Sequence, residues 1–287
     1  MTSEENIRRL AMKAIFTTDL LLKRIVLKGG NALDIIYNLS GRVSIDLDFS
    51  LADDFSDQEI PTMKTAIEKS LEKTFDPEGL KPFDVKLVKK PQEDRTGRDS
   101  FWGGYNVTFK VTDLQHYEKN KGDIQKLSRE AKTVASRQRR IFSIDISKYE
   151  YCEGKIQKTY DGYTIYVYSL EMIVFEKLRA ICQQMEEYLS IIEKPRTPRA
   201  RDFYDIYVIQ SSSDLDLYSA ANIELLKHIF ECKKVPLPFL KLIKNSYGFH
   251  INDYNQLKDT VKVSEQLKPF DFYFDYVVNL VDKIPIN

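Results

Sequence analysis

The chain has 287 residues, enough for one large domain or two modest ones with a real core. Lys+Arg and Asp+Glu both number 43, so net charge points to neither a nucleic acid nor a membrane, and any electrostatic role has to come from local clustering. Hydrophobic residues at 43% exclude a disordered chain, and no charge-free run exceeds the ten residues 100–109, about half of what a membrane-spanning helix needs. Charges at Glu4, Glu5, Arg8, Arg9, Lys13 and Asp19 interrupt any apolar leader, so a cytoplasmic location without membrane contact is expected. Cys152, Cys182 and Cys232 lack any disulfide or zinc spacing, and His116, His228 and His250 are equally scattered.

In chain order, the spacing of Ile7, Leu10, Ala11, Ala14, Ile15 and Leu21 predicts a helix over 5–23, followed by a short apolar strand at 25–27. Lys28-Gly29-Gly30-Asn31 then breaks the strand, and Ala32, Leu33, Ile35, Ile36 and Leu39 recur at helical intervals until Gly41. Val43, Ile45, Leu47 and Phe49 alternate with Ser44, Asp46, Asp48 and Ser50, which predicts a strand with both aspartates on its polar face. A helix over 57–75 and strands over 85–88, 105–111, 141–147 and 163–168 complete a mixed α/β half. Beyond Ser169 the periodicity turns helical, over 171–189, 199–209, 223–232 and 271–283. An α+β fold is expected, with a mixed sheet in a domain of residues 1–168 and a mainly helical domain of residues 169–287.

Residues two apart on a strand point the same way, so Asp46 and Asp48 set two carboxylates side by side, where repulsion calls for a cation between them. All-oxygen ligation suits Mg²⁺, or Mn²⁺, with water and phosphates filling the remaining positions. A solvated strand face explains an isolated Asp-x-Asp equally well. The Gly29-Gly30-Asn31 turn sixteen residues before Asp46 changes that balance, because glycines at a strand-to-helix turn let backbone N–H groups approach phosphate. Residues 43–63 also hold six acids and no Lys or Arg, which suits a metal-centred site better than a bare anion site.

With these residues the sequence resembles the nucleotidyltransferase superfamily with a polymerase-beta-like palm, and within it the AbiEii/AbiGii-type toxins. The resemblance rests on residues 27–33 (LKGGNAL) and 42–50 (RVSIDLDFS), on Phe175-Glu176-Lys177-Leu178-Arg179-Ala180, and on Arg201-Asp202-Phe203-Tyr204-Asp205-Ile206. It implies a nucleotidyltransferase palm whose Asp46 and Asp48 hold metal ions bridging the phosphates of an NTP, completed by a third acid. Asp145 is the candidate for that acid, since it alternates with Ile144 and Ile146, and Asp161 in a predicted turn is its rival. The same resemblance puts Gly29, Gly30, Asn31, Arg42, Ser44 and Lys177 at the nucleotide, and places Asp202 and Asp205 at the cleft, orienting Lys177 or the nucleotide. On residues alone, Lys177 faces the apolar stripe of its helix and calls for an anion, while Arg201 is placed to pair with Asp205 at i+4.

Asn31 departs from the Ser or Thr common at that position, and Ile45 stands where related toxins often carry an acid. Ser44 shares the face of Asp46, so a phosphate added to it would repel nucleotide. Residues 118–140 hold eight Lys/Arg against three acids and read as an exposed helical insertion. Lys126, Arg129, Lys132, Arg137, Arg139 and Arg140 are its candidates for RNA contact, extended by Arg196, Arg199 and Arg201. The resemblance implies NMP transfer from an NTP to the 3′ end of tRNA by the toxin of a toxin–antitoxin pair. Transfer to a small molecule or protein, and a catalytically silent NTP- or RNA-binding module, are the alternatives.

Overall fold

The computed structural model describes residues 3–39, 41–44, 46–92, 101–133, 139–262 and 265–286. Helix α1 (Ser3–Phe16) buries Ile7, Ala11 and Ile15 along one stripe. The helix expected over 5–23 breaks at Thr17 and Thr18, whose hydroxyls bond back to the carbonyls of Lys13 and Ala14, each at 2.9 Å. A four-residue α2 (Asp19–Leu22) then leads into β1 (Ile25–Lys28), buried along its whole length as a central strand should be. At the glycine pair the chain turns through α3 (Gly29–Asn31) and a π-helical turn, Ala32–Ile36.

Strand β2 spans Leu47–Leu51 only, so the strand expected from Val43 onward is shorter by four residues and Asp46 lies in the bend before it. The missing part pairs elsewhere: Arg42 bridges Val261, and the Val43 N–H donates to the Thr260 carbonyl at 2.8 Å. Helix α4 (Glu59–Phe75) buries Met63, Ile67, Leu71 and Phe75 at four-residue spacing. Strands β3 (Leu80–Lys90) and β4 (Gly104–Asp113), the insertion helices α5 (Leu114–Asn120) and α6 (Ile124–Glu130), and strands β5 (Phe142–Ser147), β6 (Ile156–Tyr160) and β7 (Tyr163–Val167) follow. The seven strands form one mixed sheet in the order β3-β4-β5-β2-β1-β7-β6. Strand β6 escapes sequence reading because it is an edge strand whose central Gln157, Lys158 and Thr159 are exposed and polar.

The second half is helical: α7 (Leu170–Cys182), α8 (Ala200–Ser212), α9 (Ala220–Glu231), α10 (Tyr247–His250), α11 (Tyr254–Lys258) and α12 (Phe270–Asp282), with 3₁₀ turns at Glu187–Ser190 and Leu237–Asn245. Ser169 caps α7 by accepting from the Met172 N–H at 3.2 Å. The helix expected to 189 stops at Cys182, and the chain beyond it folds back so that Gln184 accepts from Arg196 Nε at 2.5 Å and from the Thr197 N–H at 2.8 Å. One cluster of buried apolar side chains runs from Ile7 in α1 through the sheet to Val281 in α12. A small separate cluster of Phe83, Leu127 and Ala131 pins the insertion to β3.

Candidate active site

Strand pairing alone brings the principal acids together. Strand β2 lies parallel to β5 with Asp48 opposite Asp145, and antiparallel to β1 with Asp48 opposite Lys28. Gly29, the residue after Lys28, has φ +69°, and a Cβ on it would sit 3.0 Å from Asp48 Oδ2. On Gly30 a Cβ would meet Ser44 Oγ at 2.7 Å and Ser44 Cβ at 2.8 Å. Both glycines are therefore required by close approach, and the Gly turn is packed directly against the Asp-x-Asp segment.

The bend carrying Asp46 is held from behind. Asn31 is fully buried, donates from Nδ2 to the Asp46 carbonyl at 2.6 Å, and accepts from Arg8 of α1 at 3.1 Å. Arg8 also donates to the Ser44 carbonyl. The amide of Asn31, expected at a phosphate, is thus occupied in shaping the loop, which is also why Asp46 lies outside the sheet. Ile45 lies outside the described residues.

Burial pushes the Asp48 carboxyl up to about 7; Asp145, Glu176 and Asp46 push the same way against the opposing pull of Lys28. Such crowding of negative charge is relieved by a cation. Among the described residues no three His, Cys, Asp or Glu side chains converge into a ready-made metal cage. Asp46, Asp48 and Asp145 still fit a hard divalent ion that takes most of its shell from water and phosphate, since Mg²⁺ needs only one or two carboxylates. Asp145 is held by Asn106 Nδ2 at 2.8 Å and Lys90 Nζ at 3.4 Å. Asp161, its rival, sits in the turn between β6 and β7 and pairs with Lys13 at 2.8 Å, away from the other acids.

Helices α7 and α8 close the site from the other side. Lys177 Nζ lies 2.9 Å from Asp202 and 2.7 Å from Asp205, and Arg42 forms a bidentate pair with Asp205 at 2.7 and 2.6 Å. The anion that the buried lysine calls for is this acid pair. Burial alone would raise the Asp205 carboxyl, but Arg42 and Lys177 outweigh it and hold it at about 2. Arg201, expected to pair with Asp205, lies instead 3.6 Å from Asp253, because Asp205 points inward to Arg42. A cavity of about 740 Å³ is lined by Gly29, Gly30, Arg42, Ser44, Asp46, Asp48, Asp145, Lys177 and Asp202, so nine of the residues expected for catalysis and nucleotide binding share one cleft, together with Arg199 and Arg201.

A family model described as "Nucleotidyl transferase AbiEii toxin, Type IV TA system" matches residues 10–276. The chain belongs to this family. No curated protein matches. Among solved structures, an antigenic nucleotidyltransferase-like protein from Paracoccidioides brasiliensis is 13% identical over 90% of this chain and 95% of that one, with a TM-score of 0.37, too remote a likeness to bear on the chemistry.

Around the AbiEii cleft the structure adds a role for residues to which the sequence reading assigns none. Lys28, Glu150, Glu176, Arg179 and Lys233 form a buried charge network under the acids, with Arg179 2.7 Å from Glu150 and Lys28 3.4 Å from Glu150. The only sequence signal for it is position: Lys28 precedes the Gly pair, and Glu176 and Arg179 flank Lys177. The basic insertion lies elsewhere. Gly104 pairs with Ser147 at the cleft end of β4 and β5, whereas the insertion departs past the opposite end, where Phe109 pairs with Phe142. Lys132 pairs with Asp113 at 2.8 Å, Lys126 donates to Asn120 at 2.8 Å, and Arg140 donates to the Ala131 carbonyl. Arg129 and Arg139 are exposed, and Arg137 lies outside the described residues.

Proposed function

We propose that this AbiEii-family chain moves a nucleoside monophosphate from an NTP to an acceptor hydroxyl, with the 3′ end of tRNA as acceptor, and that it acts as a toxin restrained by a cognate antitoxin. The observation that carries this reading is the packing of Gly29 against Asp48 Oδ2 with Asp145 in register beside it. That arrangement puts a phosphate-accepting turn and a cation-demanding acid set in contact. A silent binding module has no need to crowd those acids.

The candidate ion is Mg²⁺, or Mn²⁺, which Asp46, Asp48 and Asp145 would hold and which would neutralise charge on the reacting phosphate. The chain's own residues do the rest. Ser44, Arg199 and Arg201 line the cleft where donors meet the phosphates of the NTP. Lys177 and Asp202 lock α7 to α8, and Asp205 holds the Arg42 guanidinium against the Gly turn. The acceptor oxygen bonds to the α-phosphorus, the bond from that phosphorus to the bridging oxygen breaks, and pyrophosphate leaves. Asp145 takes the acceptor's proton. Lys126, Arg129, Lys132, Arg139 and Arg140 contact the body of the RNA from the far end of the sheet, with Arg137 next to them in sequence, while Arg196, Arg199 and Arg201 meet its end.

The test is incubation with Mg²⁺, each labelled NTP in turn and total tRNA, beside Asp46→Ala. Label in tRNA from the unaltered protein alone supports the reading and names the nucleotide. Label that survives RNase treatment of an extract assigns the acceptor to a protein or small molecule instead. No labelled product from any acceptor refutes transfer.

A further inference from the structure

A second cavity of about 630 Å³ adjoins the cleft and shares Lys28, Asp145, Ser147, Glu176 and Arg199 with it as a common wall. Its character differs. Trp102, Pro91, Ile146, Ala180 and Ile192 contribute apolar surface, where the cleft is lined by the Gly turn and charged groups. Three of its cations, Lys28, Arg179 and Lys233, already face Glu150 or Glu176.

Two further cations stand on the segment between α7 and α8. Lys194 is half-buried, and among the described residues no carboxylate lies within ion-pair distance of it; its ammonium instead rests 5.0 Å above the Trp102 ring. Burial pushes it down to about 8, with Arg199 and Arg179 adding to the effect. Arg199 has a buried Nε without a hydrogen-bond partner, and its nearest acid, Asp202, is 3.6 Å away. A lysine with no carboxylate partner among the described residues and an arginine with a free Nε, beside an aromatic plane on the wall of an accessible cavity, are the features a nucleotide satisfies together: the phosphate takes the donors and the base takes the ring.

We propose that this second cavity is a nucleoside-monophosphate subsite, with the base against Trp102 and the phosphate on Lys194 and Arg199. The proposal rests on the transferase reading of the neighbouring cleft. On binding, Lys194 exchanges its weak contact with the indole for a charge-assisted bond to phosphate and the base takes its place over the ring, while Lys233 keeps its own contact 5.5 Å from the same ring centroid. The bound unit is either the nucleoside end of the NTP or the terminal nucleotide of the acceptor, two sources with the same chemistry.

Trp102 is the single tryptophan of the chain, so its fluorescence reports this cavity alone. Titration with AMP, CMP, GMP and UMP should give saturable quenching by at least one of them. Lys194→Gln should weaken that binding by about tenfold or more, as expected for loss of a charged hydrogen bond, and Lys194→Arg should restore most of it. Quenching that disappears when the cleft is saturated with a non-hydrolysable NTP assigns the subsite to the NTP. Quenching that persists, and that a short oligoribonucleotide reproduces, assigns it to the acceptor. Absence of saturable quenching by any nucleotide, or equal affinity in Lys194→Gln, overturns the proposal. Transfer activity without quenching defeats the subsite alone, and quenching without transfer to any acceptor defeats the reading of the cleft alone.

Discussion

Replacing Asp205 by Asn tests the architecture of the cleft most directly. Asp205 is 2% exposed and answers two buried cations, Arg42 at 2.6 Å and Lys177 at 2.7 Å. Asn keeps the shape but removes the charge that both cations share, leaving Lys177 with Asp202 as its remaining carboxylate among the described residues. Breaking a buried pair from one side costs about 3–5 kcal/mol, which in a chain of this size lowers Tm by roughly 10 °C. A second signature follows from linkage. The carboxyl sits at about 2 in the folded protein against an ordinary 3.8, a difference of about 2 kcal/mol. Because the folded value is the lower one, that stabilisation is complete above pH 4 and is lost as pH falls toward 2. Urea unfolding of both proteins from pH 7 down to pH 2 should therefore show a large gap at neutral pH that narrows in acid. A loss below about 1 kcal/mol at pH 7, or a gap independent of pH, refutes the assignment of Asp205 as the charge that holds Arg42 and Lys177.

Gly29→Ala places a Cβ 3.0 Å from Asp48 Oδ2 at a φ of +69°; it should cost about 1–2 kcal/mol of stability and abolish transfer while the far-ultraviolet circular dichroism stays unchanged. Gly30→Ala should impair the protein by collision with Ser44, and Ser44→Gly added to it should recover folding, as thermal melts would show. Asp48→Asn removes one of the crowded carboxylates and should yield an inactive protein that is more stable by about 1 kcal/mol or more; a lower Tm would contradict it. Arg8→Ala frees the carbonyls around Asp46, and the Mg²⁺ concentration for half-maximal transfer should rise about tenfold, against an unchanged value if Arg8 only packs. His250 is fully buried and accepts from the Arg199 N–H at 3.0 Å, and burial holds its imidazole at about 4 against an ordinary 6.5. The neutral form is the one that folds, so its contribution is complete above pH 6.5 and fades toward pH 4, about 3 kcal/mol in all; His250→Leu should flatten the stability profile across that window.

Much of this site is readable along the chain because its parts are local. The Gly pair after an apolar strand, the Asp-x-Asp spacing and the lysine on the apolar face of α7 are short-range patterns, and β-pairing then carries Asp145 to Asp48 by simple register. The misreadings occur where distant residues compete with local periodicity. The alternation over 43–49 predicts a strand from Val43, but Arg8 and Asn31 capture the carbonyls of Ser44 and Asp46 and turn the chain. Lys177 calls for an anion by its position on the helix, yet that anion is the carboxylate pair Asp202 and Asp205 on the next long helix, with Arg42 completing the group from the other half of the chain.

What the sequence by itself determined is the class of the fold and the candidate acids, since hydrophobic period and residue chemistry are properties of neighbouring positions. Only the tertiary structure decided which charges are already partnered. Arg42, Lys177 and Lys28 are all cations beside a cleft, and nothing local distinguishes them from Lys194 and Arg199. Burial and a counter-ion within 3.5 Å commit the first three. Among the described residues Lys194 has no carboxylate within ion-pair distance and Arg199 reaches Asp202 only at 3.6 Å, because the acids that line the second cavity are drawn to Lys28, Arg179 and Lys233.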